Sequence, residues 1–143
     1  MFKGKKVKKV KNKKLKGKNY ERNSHRQRAC CYRTLCQAIE VNGFVFASGQ
    51  IPIDPATGNF VEGGIKEQTR QALTNAQNIL KAAGTDLAHV VKTTVYLDSM
   101  DDFAAMNEVY AEFFSQPFPA RSAVAIEKLP KGALVEVEVL AAK

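Results

Sequence analysis

Beyond Gln37 the chain carries clear hydrophobic periods. In "AIEVNGFVFASGQIP" apolar residues alternate on both sides of Asn42-Gly43, a pair that accepts positive φ, so two strands joined as a hairpin are predicted. "IDPATGNFVEGG" holds Asp-Pro, Thr-Gly and Gly-Gly and reads as a loop. In "GIKEQTRQALTNAQNILKAAGTD" the less polar positions Ile65, Thr69, Ala72, Leu73, Ala76, Ile79, Leu80 and Ala83 recur at the spacing of one helix face, and Gly84 stands where a C-cap glycine belongs. "HVVKTTVYL" is short and β-branched, hence a strand. A second helix is predicted from "DSMDDFAAMNEVYAEFF", with Ser99 in an N-cap pattern, acids in the first turn and a stripe of Phe103, Met106, Tyr110, Phe113 and Phe114. After Pro117 and Pro119, "ARSAVAIEKL" and "ALVEVEVLAA" read as two strands joined by the Pro130-Lys131-Gly132 turn.

The order ββαβαββ, with a meandering and mostly paired set of strands, predicts an α+β layer in which both helices cover one face of a single sheet. The other face then needs a cover. Val135, Val137 and Val139 alternate with Glu136 and Glu138, so a lone protomer would expose a mixture of apolar and charged groups, better buried between subunits. A homo-oligomer is expected.

Length and charge refine this picture. The 143 residues suit one domain, 29–143, behind a tail, 1–28. The tail holds thirteen Lys/Arg against one Glu and the rest nine against thirteen acids, so the net charge of +8 belongs to the tail alone. Such a Lys-rich stretch with few apolar residues cannot recover the entropy of ordering, and disorder is expected there. No apolar run approaches the roughly 18 residues that span a bilayer, and the tail lacks the apolar core and cleavage site of a secretory signal. A cytoplasmic protein is expected. Cys30, Cys31 and Cys36 crowd together without a His or Cys pair elsewhere to complete a zinc set, and read as reduced thiols.

Among motifs of catalysis, no nucleotide loop, H-E-x-x-H, G-x-S-x-G or Ser/His/Asp order appears. His25 lies in the tail and His89 opens a strand as a surface residue. Arg121 has the rigid fork of donors that fits a carboxylate or phosphate, yet an Arg at a strand start is more often a solvated charge. Glu136 and Glu138 on alternating positions are usually the polar face of a sheet.

Four separated segments, "NGFVFASGQIPIDPATG", "VVKTTVYLDSMDDFAAMNEVYAEFF", "FPARSAV" and "LPKGALVEVEVLA", resemble the YjgF/RidA family, the reactive-intermediate imine deaminases also called L-PSP endoribonucleases. The resemblance runs from about Gln37 to the C-terminus. It implies a chorismate-mutase-like protomer in a trimeric barrel with clefts at subunit interfaces, and hydrolysis of 2-aminoacrylate or 2-iminobutanoate to a 2-oxo acid and ammonia without a cofactor or metal. Carried over by position, Arg121 would grip the substrate carboxylate and Glu136 would orient or deprotonate the attacking water. Ser48 and Gly49 would line the cleft, Asn107 would face it and Phe118 would form part of its wall. Family members have also been described as ribonucleases and translation inhibitors, and a chaperone-like regulatory trimer is a third class. A basic tail would attract RNA nonspecifically through counterion release, although Phe2 and Tyr20 alone make no stacking platform.

Two departures stand out. The family cysteine two residues after the arginine is Ala123 here, a change of modest expected effect. The family's opening A-P-A-A-I-G-P-Y-S-Q-A-I is replaced by "RACCYRTLCQAI", with Leu35 at the position of a ligand-reaching tyrosine. The stretch "ACCYRTL" can be encoded so that reading from one base later yields Pro-Ala-Ala-Ile-Gly-Pro-Tyr. Residues 1 to about 36 therefore read as a shifted frame, and the activity is expected to fall where the tyrosine is lost.

Overall fold

A computed structural model describes residues 21–23 and 36–143. The strands are β1 (Glu21–Asn23), β2 (Ala38–Val41), β3 (Phe44–Gln50), β4 (Val90–Leu97), β5 (Ala120–Ala125) and β6 (Val135–Ala142). Helix α1 spans Ile65–Ala83 and α2 spans Phe103–Phe113. Among the described residues the strands form one sheet in the order β1-β2-β3-β6-β4-β5.

The first hairpin is as predicted: Val41 pairs with Phe44 across Asn42 and Gly43, at φ of 50° and 77°, the double positive φ of a type I′ turn. Helix α1 ends on Gly84 in the left-handed region, φ 85°, whose N–H reaches back to the carbonyls of Leu80 and Lys81. At its start the Gly64 N–H donates to Glu67 Oε2 at 2.9 Å, one half of a capping box. Ser99 does cap, but it caps a 3-10 turn, Met100–Asp102, that precedes α2. His89 does not open a strand; it closes a 3-10 turn over Leu87–His89, with Nδ1 2.7 Å from Asp86 Oδ1.

Two larger differences concern pairing. The last two strands do not form a hairpin, because β4 lies between them, parallel to β5 and antiparallel to β6. The chain from β4 through α2 to β5 is a crossover unit that places β5 beyond β4 on the sheet edge, a connection a parallel pair requires. The Pro130–Gly132 segment is a 3-10 turn, with Lys131 at φ 57°, and it carries the chain across to the strand interior. At the opposite edge, Glu21–Asn23 pairs antiparallel with Ala38–Glu40, inside the stretch assigned to a disordered tail. An edge strand pairs through backbone groups and needs no side-chain pattern, so composition gives no sign of it. The rest of the tail, and Cys30, Cys31 and Leu35 just after it, lie outside the described residues.

Both helices pack on one face. Val135, Val137, Val139 and Ala141 of β6, Val95 and Leu97 of β4, and Val45 and Ala47 of β3 are buried beneath Leu73, Ala76, Ile79, Leu80, Met106 and Tyr110. Alternate residues look the other way: Glu136 opposite Tyr96, Glu138 opposite Thr94, Phe46 opposite Leu140. On that uncovered face Phe46 is 49% and Phe44 41% exposed, the mixture of aromatic and charged surface that the alternation predicts.

Candidate active site

The chemistry-bearing residues fall into two groups on opposite faces of the sheet. In the parallel ladder Arg121 pairs with Thr93 and Ala123 with Val95. Thr93 and Val95 are buried toward the helices, and register partners share a face, so Arg121 and Ala123 belong to the helix side at the β5 edge. Glu136 pairs with Tyr96, three residues beyond Thr93 and therefore on the other side.

Around Arg121 the helix α2 supplies three partners. An Nη1–H donates to Asn107 Oδ1 at 2.7 Å. The guanidinium carbon stands 4.5 Å from the Tyr110 ring centroid and 5.5 Å from that of Phe103, within the reach of cation–π attraction. Tyr110 is in turn tied to β4, its hydroxyl 2.8 Å from Thr93 Oγ1. Burial raises the Tyr110 pKa, opposed by the Thr93 hydrogen bond and by the Arg121 charge. No carboxylate among the described residues forms an ion pair with Arg121. The arrangement is a fixed cation held by neutral groups, able to receive a carboxylate bidentately.

The second group is built on a bulge. Between Ala47, opposite Val139, and Gln50, opposite Val137, the β3–β6 register shifts. Ser48 and Gly49 are the residues it sets out of step. The Ser48 N–H donates to the Gln37 carbonyl at 2.9 Å and Ser48 Oγ–H to the Cys36 carbonyl at 2.6 Å. Gln50 is 6% exposed, and its amide donates to the carbonyls of Ser48, 2.9 Å, and Gly49, 3.2 Å. A Cβ at Gly49 would overlap the Glu136 carboxylate, whose Cδ would lie 2.7 Å away. Glycine is thus what lets Glu136 lie along the bulge.

Gly49, Glu136, Glu138, Tyr96 and Ile126 line a cavity of about 240 Å³. Burial, and secondarily the neighbouring Glu138 carboxylate, raise the Glu136 pKa above its ordinary value. A carboxylate whose protonated form is so favoured is a proton acceptor of increased basicity. Phe118 is 55% exposed on the loop before β5, and among the described residues no ring contact joins it to Arg121.

The structure therefore brings Arg121 together with Asn107, and Gly49 with Glu136, but does not bring the two pairs together within one chain. Tyr110, Phe103, Thr93, Gln50 and Tyr96 join the candidate residues. Tyr110 and Phe103 are visible in the sequence only as members of an apolar stripe, and Gln50 only as part of "SGQIP"; no periodicity separates a packing aromatic from one that carries a guanidinium.

A fold of this topology with such residues defines a class, and comparison with known proteins names it. The family described as Endoribonuclease L-PSP matches residues 27–143, and the chain belongs to it, the YjgF/RidA family. A RutC family protein of Pyrococcus horikoshii is 57% identical over 107 residues, 75% of this chain and 85% of that protein. The human 2-iminobutanoate/2-iminopropanoate deaminase is 48% identical over 105 residues, 73% of this chain and 77% of that one. The crystal structure of RidA from an Antarctic Psychrobacter superposes with a TM-score of 0.80 at 39% identity, covering 84% of this chain and 97% of that one. The crystal structure of E. coli TdcF with bound serine gives 0.81 at 32%, covering 86% and 98%. The two-helix, one-sheet α+β fold is thereby shared with the family, and imine deamination is the reaction by which relatives near half identity are named. No helix among the described residues is long and apolar enough to cross a membrane.

Proposed function

We propose that this chain hydrolyses 2-imino acids such as 2-iminobutanoate and the tautomer of 2-aminoacrylate to 2-oxo acids and ammonia, in clefts where the Arg121 edge of one copy meets the Glu136 face of another. The observation that carries this reading is the separation itself. Among the described residues, a cation without a carboxylate and a basic carboxylate without a cation stand on opposite faces, so a neighbouring copy can complete each. Closing three copies about an axis, each sheet face against the next edge, forms three such clefts and covers Phe44 and Phe46.

In the cleft, Arg121 holds the substrate carboxylate and Asn107 fixes the guanidinium plane. Glu136 takes a proton from a water as the water oxygen bonds to the imine carbon, and passes that proton to the imine nitrogen. In the resulting carbinolamine Glu136 takes the hydroxyl proton and delivers it to the nitrogen as the C–N bond breaks, releasing ammonia and the 2-oxo acid. The atoms of imine plus water balance those of the products. An imine carbon is already electrophilic, so positioning and one base suffice, and no cofactor or metal is required. Ser48 presents backbone along the wall, Ala123 stands beside Arg121, and Phe118 shields the mouth. The identities of the deaminase relatives and of a relative that holds serine, an amino acid with the same carboxylate, support the reading.

The test is release of 2-oxobutanoate and ammonia from freshly generated 2-iminobutanoate, comparing the parent with Arg121→Ala. Faster hydrolysis by the parent alone supports the reading. If both run at the background rate, restoring Gly-Pro-Tyr before Cys36 decides the matter: recovered activity assigns the defect to the altered N-terminal segment, and continued inactivity overturns the reading. Sequencing the coding DNA checks the shifted frame separately, since codons for Cys30 to Leu35 that cannot be shifted into the family motif remove that idea. The family description also carries an endoribonuclease reading; RNA attraction through the basic tail would survive Arg121→Ala, which separates the two.

A further inference from the structure

We propose that Tyr110 is a positioning residue for Arg121, a buried aromatic platform that immobilises the guanidinium and sets its open edge before any carboxylate arrives. This rests on the carboxylate-clamp reading of Arg121 given above.

Three observations converge on the platform. Tyr110 is only 5% exposed and its ring centroid lies 4.5 Å from the Arg121 guanidinium carbon. The ring cannot turn freely, since its hydroxyl is bonded to Thr93 Oγ1, fully buried, and the Phe114 ring packs against it at 4.4 Å. Thr93 is also the residue directly opposite Arg121 in the β4–β5 ladder. One end of the tyrosine is therefore anchored to the strand neighbour of the arginine, and its face carries the arginine's far end. The backbone and the head group of Arg121 are referenced to the same residue, with Asn107 fixing one nitrogen.

The physical gain is preorganisation. Arginine has among the largest rotamer freedoms of the side chains, and ordering it on binding costs affinity unless it is already ordered. An aromatic face attracts the guanidinium without consuming its N–H donors, which a carboxylate partner would occupy. Tyrosine thus restrains the cation and leaves its fork available, where an aspartate at that place would compete with substrate.

The experiment compares Tyr110→Phe with Tyr110→Leu, each lacking the Thr93 bond, so that their difference reports the ring. Binding of 2-oxobutanoate is measured by calorimetry, with its uncharged amide as control. Expected is affinity within about twofold of the parent for Tyr110→Phe and roughly threefold to tenfold weaker for Tyr110→Leu, the value of one side chain left unordered. The amide should bind all three proteins alike, and KM should rise more than kcat falls. Equal affinity in both variants, or equal loss in both, overturns the platform. Where Tyr110→Leu does not fold, Tyr110→Met takes its place. A parent that binds acid and amide equally, unchanged by Arg121→Ala, overturns the clamp instead. The platform is then judged on the free protein by ¹⁵N relaxation of Arg121 Nε: rigid in parent and Tyr110→Phe and mobile in Tyr110→Leu if it holds, unchanged throughout if it does not.

Discussion

The two halves of the candidate site are held by different means. Arg121 is fixed by side chains: an amide oxygen, two aromatic faces and, through Tyr110, a threonine on the next strand. Glu136 is accommodated by backbone, lying in space that a bulge and a missing Cβ leave open. The arginine half stabilises its charge. The glutamate half does the reverse, for burial and Glu138 both disfavour the ionised form. A binding group gains from being charged at all working pH, whereas a base gains from holding its proton more readily; the two environments suit the two tasks.

The comparison is broken most severely at the glutamate. Glu136→Gln keeps shape and removes the proton acceptor, so kcat/KM for 2-iminobutanoate should fall about 10²-fold to 10⁴-fold, with 2-oxobutanoate affinity little changed. Gly49→Ala tests the backbone half without touching a charge. The added methyl must displace the carboxylate, and a misplacement of that size should cost roughly 10²-fold in kcat/KM, while Arg121-dependent carboxylate binding survives.

Glu138→Gln sharpens the electrostatic part. With Glu138 gone, one of the two causes that raise the Glu136 pKa disappears, and the acid limb of the kcat/KM profile should move to lower pH. Stability follows the same sign. The folded chain binds this proton more tightly than the unfolded one, so the contribution of Glu136 falls as pH rises from the ordinary glutamate value through the raised one. Urea titrations across that window should show a flatter pH dependence in Glu136→Gln than in the parent. An unmoved acid limb in Glu138→Gln would sink the assignment of Glu136 as the titrating base.

The smallest effects belong to the outer helix surface. Lys66 pairs with Glu108 and Arg70 with Glu112 across α1 and α2, all about half exposed. Exposed pairs contribute little to stability and are screened by salt. Lys66→Met should lower the urea midpoint only slightly at low salt and leave kinetics unchanged, which makes it the control for variants in either half.

Much of the architecture was legible from local chemistry. The Asn42-Gly43 turn, the α1 face and the Gly84 cap follow from backbone preferences and period alone. The partnership of the last two strands was not legible: "ARSAVAIEKL" and "ALVEVEVLAA" adjoin in sequence with a turn between them, yet β4 separates them. Strand order depends on which pairing buries the crossover helix best, and no local pattern encodes it. For the site, the motif resemblance pointed to Arg121, Asn107, Gly49 and Glu136, and to Ser48, Phe118 and Ala123. It was silent on Tyr110, Gln50 and Thr93, whose residue types are ordinary for a helix stripe or a strand.

By itself the sequence determined both helices and every strand but the β1 edge, the two-sided character of the sheet and the family, because these rest on short-range periods and on motifs read along the chain. Only the tertiary structure decided that Arg121 and Glu136 face opposite ways. Side chains alternate along a strand, so the face of each depends on strand order and register, and these are set by long-range packing.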